Sequence, residues 1–326
     1  MWRFRMFNQK KSYIFIILFI ISSSFIHASS EGLTQDQIAS AGFSQDQLDR
    51  LLFENVSINQ PNLNTIRNLL EKGANPNKAM RVGNNALIES IYRNNPEIVQ
   101  ILLQNGAELN FQNENGQTAL IIATILNKLP IVHLLLEHGA NQRLKDNSNE
   151  TALIKAINNN DRQRTHFLVK DLLHFGANPN DKDEYGRPAL ILATNSQNKA
   201  NVQELLDAGA LVNATDQHGK SALHWAIEKN YIDIIKTLLE HKANPNIIDN
   251  NGNSPLGLII DRRDTNLTLK KNELLKSFLN NGLDASTIER EINDPNIAQR
   301  LTHDMIVMLT NALTEKSGLS DSEDNE

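Results

Sequence analysis

Residues 113–141 read NENGQTALIIATILNKLPIVHLLLEHGAN, and this stretch decides the fold. Asn115-Gly116 is a tight-turn signal, because both residue types tolerate positive φ. Thr118 is placed to cap a helix, its hydroxyl accepting from an exposed N–H of the first turn. Leu120, Ala123 and Thr124 recur at helical spacing, so a short helix follows. Asn127-Lys128-Leu129-Pro130 interrupts it, and Pro130 suits the first turn of a second helix. Ile131, Val132, Leu134, Leu135 and Leu136 give that helix a broad apolar stripe. Gly139 closes it as a residue able to enter the left-handed region. The stretch is therefore a turn followed by two antiparallel helices.

Outward from this stretch the pattern recurs. The small residue opening each first helix falls at Ala86, Ala119, Ala152, Ala189, Ala222 and Pro255, in steps of 33, 33, 37, 33 and 33. The residue closing each second helix falls at Gly73, Gly106, Gly139, Gly176, Gly209, Lys242 and Gly282, in steps of 33, 33, 37, 33, 33 and 40. Two independent landmarks share one period and the same four-residue insertion, the signature of a repeat architecture. The extra residues fall around Asn158–Lys170 and Arg262–Lys271. Insertions in repeat arrays map to loops, so loops are expected there, serving either binding or nothing.

The motifs Gly116-Gln117-Thr118-Ala119-Leu120, Gly219-Lys220-Ser221-Ala222-Leu223-His224 and Gly252-Asn253-Ser254-Pro255-Leu256, with the recurring Leu-Leu-x-x-Gly-Ala-x-x-Asn, resemble the ankyrin repeat. The resemblance covers about residues 44–286. It implies an all-α ankyrin-repeat solenoid, each unit a β-turn or hairpin plus two antiparallel helices. Departures stand out. Only one unit keeps the family's His after the Leu, at His224. Pro188 replaces the capping hydroxyl of the fifth unit, Asn149 the turn Gly of the fourth, and Lys242 a helix-closing Gly.

The ends differ from the body. Residues 1–12 carry Arg3, Arg5, Lys10 and Lys11 without an acid, and an apolar run follows from Tyr13 to Ile21, extended by Phe25-Ile26. Small residues at Ala28-Ser29-Ser30 precede Glu31. This order is that of a secretory signal peptide. The run is short for a membrane-spanning helix, which needs about 20 apolar residues; retention of residues 13–26 as an anchor is the alternative. Thr34-x-x-Gln37 and Ser44-x-x-Gln47 are capping boxes that start short helices, with Leu48, Leu51 and Leu52 facing the stack. The domain reading is 1–30 signal or anchor, 31–58 helical cap, 59–286 array of about six to seven units, 287–316 helical cap with helices near Ser286–Ile292 and Pro295–Leu313, and 317–326 disordered acidic tail.

Composition removes several function classes. The chain has 326 residues, no cysteine, and 32 Lys+Arg against 38 Asp+Glu. Disulfide frameworks, thiolate metal sites and thiol nucleophiles are excluded. The net charge of −6 gives no electrostatic footprint for nucleic acid. At 5% aromatics, a large sandwich or barrel core is disfavoured. The 43 asparagines suggest tight turns or a bias of the source. No phosphate loop, dinucleotide fingerprint, nucleophile elbow or zinc-protease motif occurs. His133 and His138 are five apart, off the i,i+4 spacing that would share a metal. Asp249-x-Asn251-x-Asn253 opens like a calcium loop, but Ser254 and Ile260 stand where Gly and Glu are required. Four glycosylation sequons, at Asn55, Asn149, Asn213 and Asn266, are about what this asparagine content gives by chance. No catalytic residue, cofactor or metal is expected. Chemistry in residues 287–326 would have only His303 to work with.

The resemblance implies a protein partner, bound through the hairpin tips and the concave face of the first helices. Carried over by position, the candidate contacts are Arg81, Tyr92, Arg93, Glu114, Ile125, Leu126, Glu184, Tyr185, Arg187, His218, Lys220 and Glu228. Interface energy concentrates in a few buried anchors, aromatic and Arg above all, and the sharper candidates are Tyr92, Arg93, Ile125, Leu126, Tyr185 and Arg187. Ile125 and Leu126 are apolar where variable surface is expected, with packing between repeats as the other reading. Trp225 reads as inter-repeat core. The expected protein is an exported, non-enzymatic, monomeric scaffold in the periplasm or outside the cell, similar to bacterial ankyrin proteins. It binds no nucleic acid, and meets a membrane only if residues 13–26 persist as an anchor. In that case it is a tether; a secreted factor acting on host proteins is the other alternative.

Overall fold

The computed structural model describes residues 42–159, 162–261 and 268–317. The signal segment, the box at Thr34, the sequon at Asn266 and the tail beyond Ser317 lie outside the described residues. Among the described residues the regular structure is helical, with two isolated bridges, Lys182 to Pro188 and Thr215 to Ser221. They form two compact bodies, one of residues 42–81 and 85–108, the other of residues 82–84 and 109–317.

The first body holds α1 (Gln45–Ser57), α2 (Leu63–Glu71), α3 (Ala86–Tyr92) and α4 (Pro96–Gln104). Ser44 caps α1 with a full capping box, its hydroxyl accepting from Gln47 N while the Gln47 side chain reaches back. Leu48, Leu52, Phe53 and Val56 face the core; Leu51 is only half-buried. Asn62, Asn85 and Asn95 cap the other three helices.

The second body repeats this pair: α5 (Ala119–Ile125) with α6 (Leu129–Glu137), α7 (Ala152–Asn158) with α8 (Arg162–His174), α9 (Ala189–Asn195) with α10 (Lys199–Asp207), α11 (Ala222–Lys229) with α12 (Ile232–Glu240), and α13 (Pro255–Asp261) with α14 (Thr268–Asn280). First helices pack on first helices along the row, and second helices on second helices. The core is the seam between the rows, where Ile131, Leu135, Leu168, Leu172, Leu205, Ile235 and Leu238 are almost wholly buried. A side chain of this size contributes about 1.5–3 kcal/mol when fully buried.

The hairpins follow from one acid or amide per unit. Asn113, Asp146, Asp183, Asp216 and Asp249 each accept at Oδ1 from the backbone N–H two and four residues on. The residue three on then takes positive φ: Gly116, Asn149, Gly186, Gly219 and Gly252. Asn149, standing for Gly, adopts φ 60°, and Lys242 adopts φ 65°. At Gly116 crowding adds to conformation, since a Cβ would sit 2.5 Å from Asn147 Oδ1.

A second ladder explains much of the asparagine excess. In the loop after most second helices, an Asn side chain bonds the next loop; after α6 the position holds Arg143. Asn77 accepts from Glu108 N within the first body. In the second body Asn110 accepts from Asn141 N, Asn180 from Leu211 N, Asn213 from Asn244 N and Asn246 from Asp284 N, all at 2.7–3.0 Å. Four such rungs cross between neighbouring repeats of that body.

The insertions correct one expectation. The four extra residues of the fourth unit lengthen a helix rather than a loop: α8 has 13 residues where α6 and α10 have 9. Four residues are about one turn at 3.6 per turn, so the apolar face keeps its register. α14 likewise has 13 residues, while residues 262–267 of the other insertion lie outside the described residues.

The chain ends its described part in α15 (Ala285–Asn293), α16 (Pro295–Ala298) and α17 (His303–Ser317). The single helix expected from Pro295 is two. Thr302 Oγ1 accepts from Met305 N and starts α17 afresh. Glu291 of α15 is buried and accepts from Ser254 Oγ at 2.7 Å, seating these helices on the last repeat.

Candidate functional site

Position decides which side chains can meet a partner. The hairpin tips are exposed, and in two units a tip side chain reaches one on the first helix, Glu150 to Asn158 and Lys220 to Glu228. In the first body this edge holds Arg81, which is exposed, and Tyr92, 45% exposed at the end of α3. Burial of the rest of the ring, with Glu89 beside it, holds the Tyr92 hydroxyl above its ordinary value. Arg93 is exposed and pairs with Glu89 at 3.2 Å.

In the second body the edge begins with Glu114, exposed, and with Ile125 and Leu126 at the end of α5. Ile125 is 39% exposed and Leu126 half-buried, so neither is wholly taken up by inter-repeat packing. In the fourth unit Lys155 is held between Asp146 (2.8 Å) and Glu150 (2.5 Å), and Asn158 Nδ2 donates to Glu150. Burial opposes the Lys155 charge, but these hydrogen bonds and the two carboxylates outweigh it and raise its pKa.

The densest cluster lies in the fifth and sixth units. Tyr185 is 59% exposed at the tip, and the Arg187 guanidinium lies 5.2 Å from its ring centroid. Arg187 Nε donates to Asp183 Oδ2 at 2.7 Å, which fixes the cation over the ring. The hydrogen-bonded, negative Glu184 raises the Tyr185 hydroxyl pKa. One period on, Lys220 lies 5.2 Å from the Trp225 ring centroid and pairs with Glu228 at 2.5 Å. Trp225 Nε1–H donates to Asp216 Oδ2 at 2.9 Å. Arg187 and Lys220 are therefore equivalent residues, each set over an aromatic ring and each neutralised by its own carboxylate.

The structure thus joins Tyr185 to Arg187 and Lys220 to Glu228. It gives Glu114, Ile125 and Leu126 no side-chain contact with that cluster, and His218 offers the neighbouring hairpin only its backbone carbonyl, accepting from Asn250 N. Trp225 is the residue that reading the sequence misplaced. It is half-buried on the surface, not in the core. The period gave a divided signal, since the equivalent positions hold Glu89 and Lys155 in two units but the buried Ile122 and Leu192 in two others.

The buried His224 is a different kind of residue. Ser221 N–H donates to its Nδ1 at 3.2 Å, so the neutral ring carries its proton on Nε2, facing Asn253 O at 3.4 Å. Burial lowers its pKa. It ties two hairpins and reaches no solvent. His133 pairs with Glu137 and Asp171, while His138 Nδ1 meets Leu134 O, so the two share no site. Asp249 turns its Oδ1 inward to Asn251 N and Asn253 N, an Asx turn and not a calcium loop. Among the described residues no group of three His, Asp or Glu could hold a metal ion, and no helix is long and apolar enough to cross a membrane.

Comparison with known proteins agrees with this architecture. The family model described as "Ankyrin repeats (3 copies)" matches residues 27–113, 52–146, 89–166 and 162–249. The crystal structure of the ankyrin repeat domain of Bcl-3, a member of the IkappaB protein family, superposes with a TM-score of 0.59 at 24% identity, covering 72% of this chain and 99% of that one. At that identity the likeness speaks for the fold alone. No curated protein matches. Ankyrin-repeat domains mediate protein–protein interaction and are typically non-enzymatic scaffolds. The repeats, their turn chemistry and the matched residues make this chain a member of the ankyrin-repeat family.

Proposed function

We propose that this chain is an exported, non-enzymatic binding protein that holds a protein partner on the tip edge of its second body, centred on Tyr185, Arg187, Lys220 and Trp225. One observation carries the reading: two aromatic–cation pairs, one period apart, are locked by Asp183, Asp216 and Glu228 before any partner arrives. Side chains already ordered lose less entropy on binding, and aromatic and Arg anchors dominate interfaces. Because each cation is neutralised within the chain, shape and apolar contact select the partner. Affinity then depends little on salt. Glu114, Ile125, Leu126 and His218 form the rim, and Arg81, Tyr92 and Arg93 are a separate contact set on the first body.

The test is affinity capture from the exported fraction of the source cells with the full chain, followed by titration of the captured partner. Tyr185→Ala and Trp225→Ala should each weaken binding by about 2 kcal/mol or more, some thirtyfold. Unchanged affinity in both variants, each still folded by circular dichroism, would sink the assignment of the site. Export rests on residues 1–30. A soluble exported chain with an intact mass starting near Ser29 or Glu31 supports it, while an uncleaved chain in the membrane fraction makes the protein a tether through residues 13–26.

A further inference from the structure

Aligned by period, residue 201 stands with Ile98, Ile131, Leu168 and Ile234, all of them core residues no more than 2% exposed. Asn201 is as buried, at 1% exposed, yet neither its Oδ1 nor its Nδ2 has a partner. It is a primary amide in an apolar slot. Two more unpartnered groups surround it in sequence and stacking: Asn195 Oδ1 at the end of α9, and His166 Nδ1 on α8, the helix that packs against α10. Of the seven buried side-chain atoms without a partner among the described residues, four lie on α8–α10.

Other supports are missing at the same place. α9 begins at Pro188 with no side-chain cap bond, whereas Thr118 and Thr151 cap α5 and α7. The asparagine ladder has a gap on one side of the loop that enters this unit, although Asn180 of that loop keeps its rung to Leu211 N. At the period position between Asn110 and Asn180 stands Arg143, which has no acceptor to offer Asn178 N. Its neighbour Gln142 reaches Phe175 O at 2.5 Å but leaves its own Oε1 buried and unpartnered.

We infer that the fifth unit, residues 183–209, is a built-in point of local opening: it unfolds and refolds while α5–α6 before it and α11–α12 after it stay folded. In a repeat array each unit touches only its neighbours, and stability is a sum of unit and interface contributions. A unit poor in both opens by itself. The opening frees the Asn201 amide, the Asn195 side-chain carbonyl and His166 Nδ1 to meet water, which relieves their unpaired burial. An array of equal units frays from its ends, so an interior minimum of protection is a distinct signature.

Amide hydrogen exchange on the full chain at neutral pH tests this. The amides of α9 and α10 should exchange about tenfold or more faster than those of α5–α6 and α11–α12. Asn201→Ile should slow α9 and α10 about tenfold and leave α5–α6 unchanged. Arg143→Asn, which restores the rung without touching the core, should slow the same amides by a smaller factor. Equal protection across the three helix pairs would overturn the inference. It is the pattern expected if an internal water served the Asn201 amide. Unchanged exchange in a folded Asn201→Ile chain would overturn it too, and if that variant does not fold, the wild-type pattern and Arg143→Asn decide.

Discussion

In the sixth unit Ser221 and His224 close the start of α11 between them and Ile234 fills the core slot of α12, while the loop rung from Asn213 to Asn244 has its counterpart in the fifth unit, from Asn180 to Leu211. In the fifth, Pro188 starts α9 without a cap bond and Asn201 occupies the core slot. Both units keep the Asx turn, the closing Gly or its left-handed substitute, and the Leu-Leu pair. Backbone geometry therefore survives where side-chain satisfaction does not. In an array, a turn sets how every later unit stacks, while a core defect is felt only by the neighbours. The turn is the stricter requirement, and the core is where units are free to differ.

The largest effect that sharpens the contrast is a pair of truncations. Leu205 and Leu238 are equivalent and both fully buried. Leu238→Ala should lower stability by about 2–5 kcal/mol, because Ile234 one turn away leaves a dry apolar cavity. Leu205→Ala should fall at the low end of that range or below it. Its cavity opens beside Asn201, and water entering there satisfies the amide. Denaturant midpoints of the two variants, with unchanged slopes, measure the difference. A cost at 205 equal to or above that at 238 would mean the two units are equally finished.

A smaller effect sets the sixth unit apart by pH. Burial lowers the His224 pKa below its unfolded value of about 6.5. The unfolded chain then binds more protons than the folded one below that pH. The contribution of this ring is fully present above about pH 6.5 and is lost as pH falls, by at most about 1.4 kcal/mol per pH unit for one proton. Asp249, whose pKa is lowered by the Asn253 and Asn251 bonds that outweigh its burial, adds a second loss only below about pH 4. Thermal unfolding at pH 7.5 and 5.5 should show the first step, and His224→Gln should flatten it. A variant as pH-sensitive as the wild type would assign the step elsewhere.

Much of this was legible in the sequence, for a physical reason. The period, the Asx and Gly turns, the Thr118 cap and the Pro130 start are local backbone chemistry, and local chemistry is written in adjacent residues. Side-chain partners across repeats are not. Four inserted residues read as a loop because nothing in one sequence says that they complete a helical turn. Trp225 read as core because an aromatic on a short helix usually is; its Asp216 and Lys220 partners sit nine and five residues back, on the hairpin. The asparagine excess suggested turns, and only the structure shows the inter-loop rungs. Asn201 drew no notice, although Ile131 and Ile234 at the same period mark its slot as apolar.

The smallest effect concerns the start of α9. Pro188→Thr gives the fifth unit the hydroxyl that Thr118 and Thr151 supply to α5 and α7. A cap bond of that kind contributes about 0.5–2 kcal/mol. Losing the proline loosens the unfolded chain, which costs about 0.4–1 kcal/mol. The net change then lies between a loss of about 0.5 and a gain of about 1.6 kcal/mol, centred on a small rise in unfolding midpoint. A gain well above that would mean the missing cap, more than the buried Asn201 amide, separates the fifth unit from the sixth. A clear loss would mean that Pro188, with φ at −59°, does more by stiffening the hairpin exit than a hydroxyl does by capping.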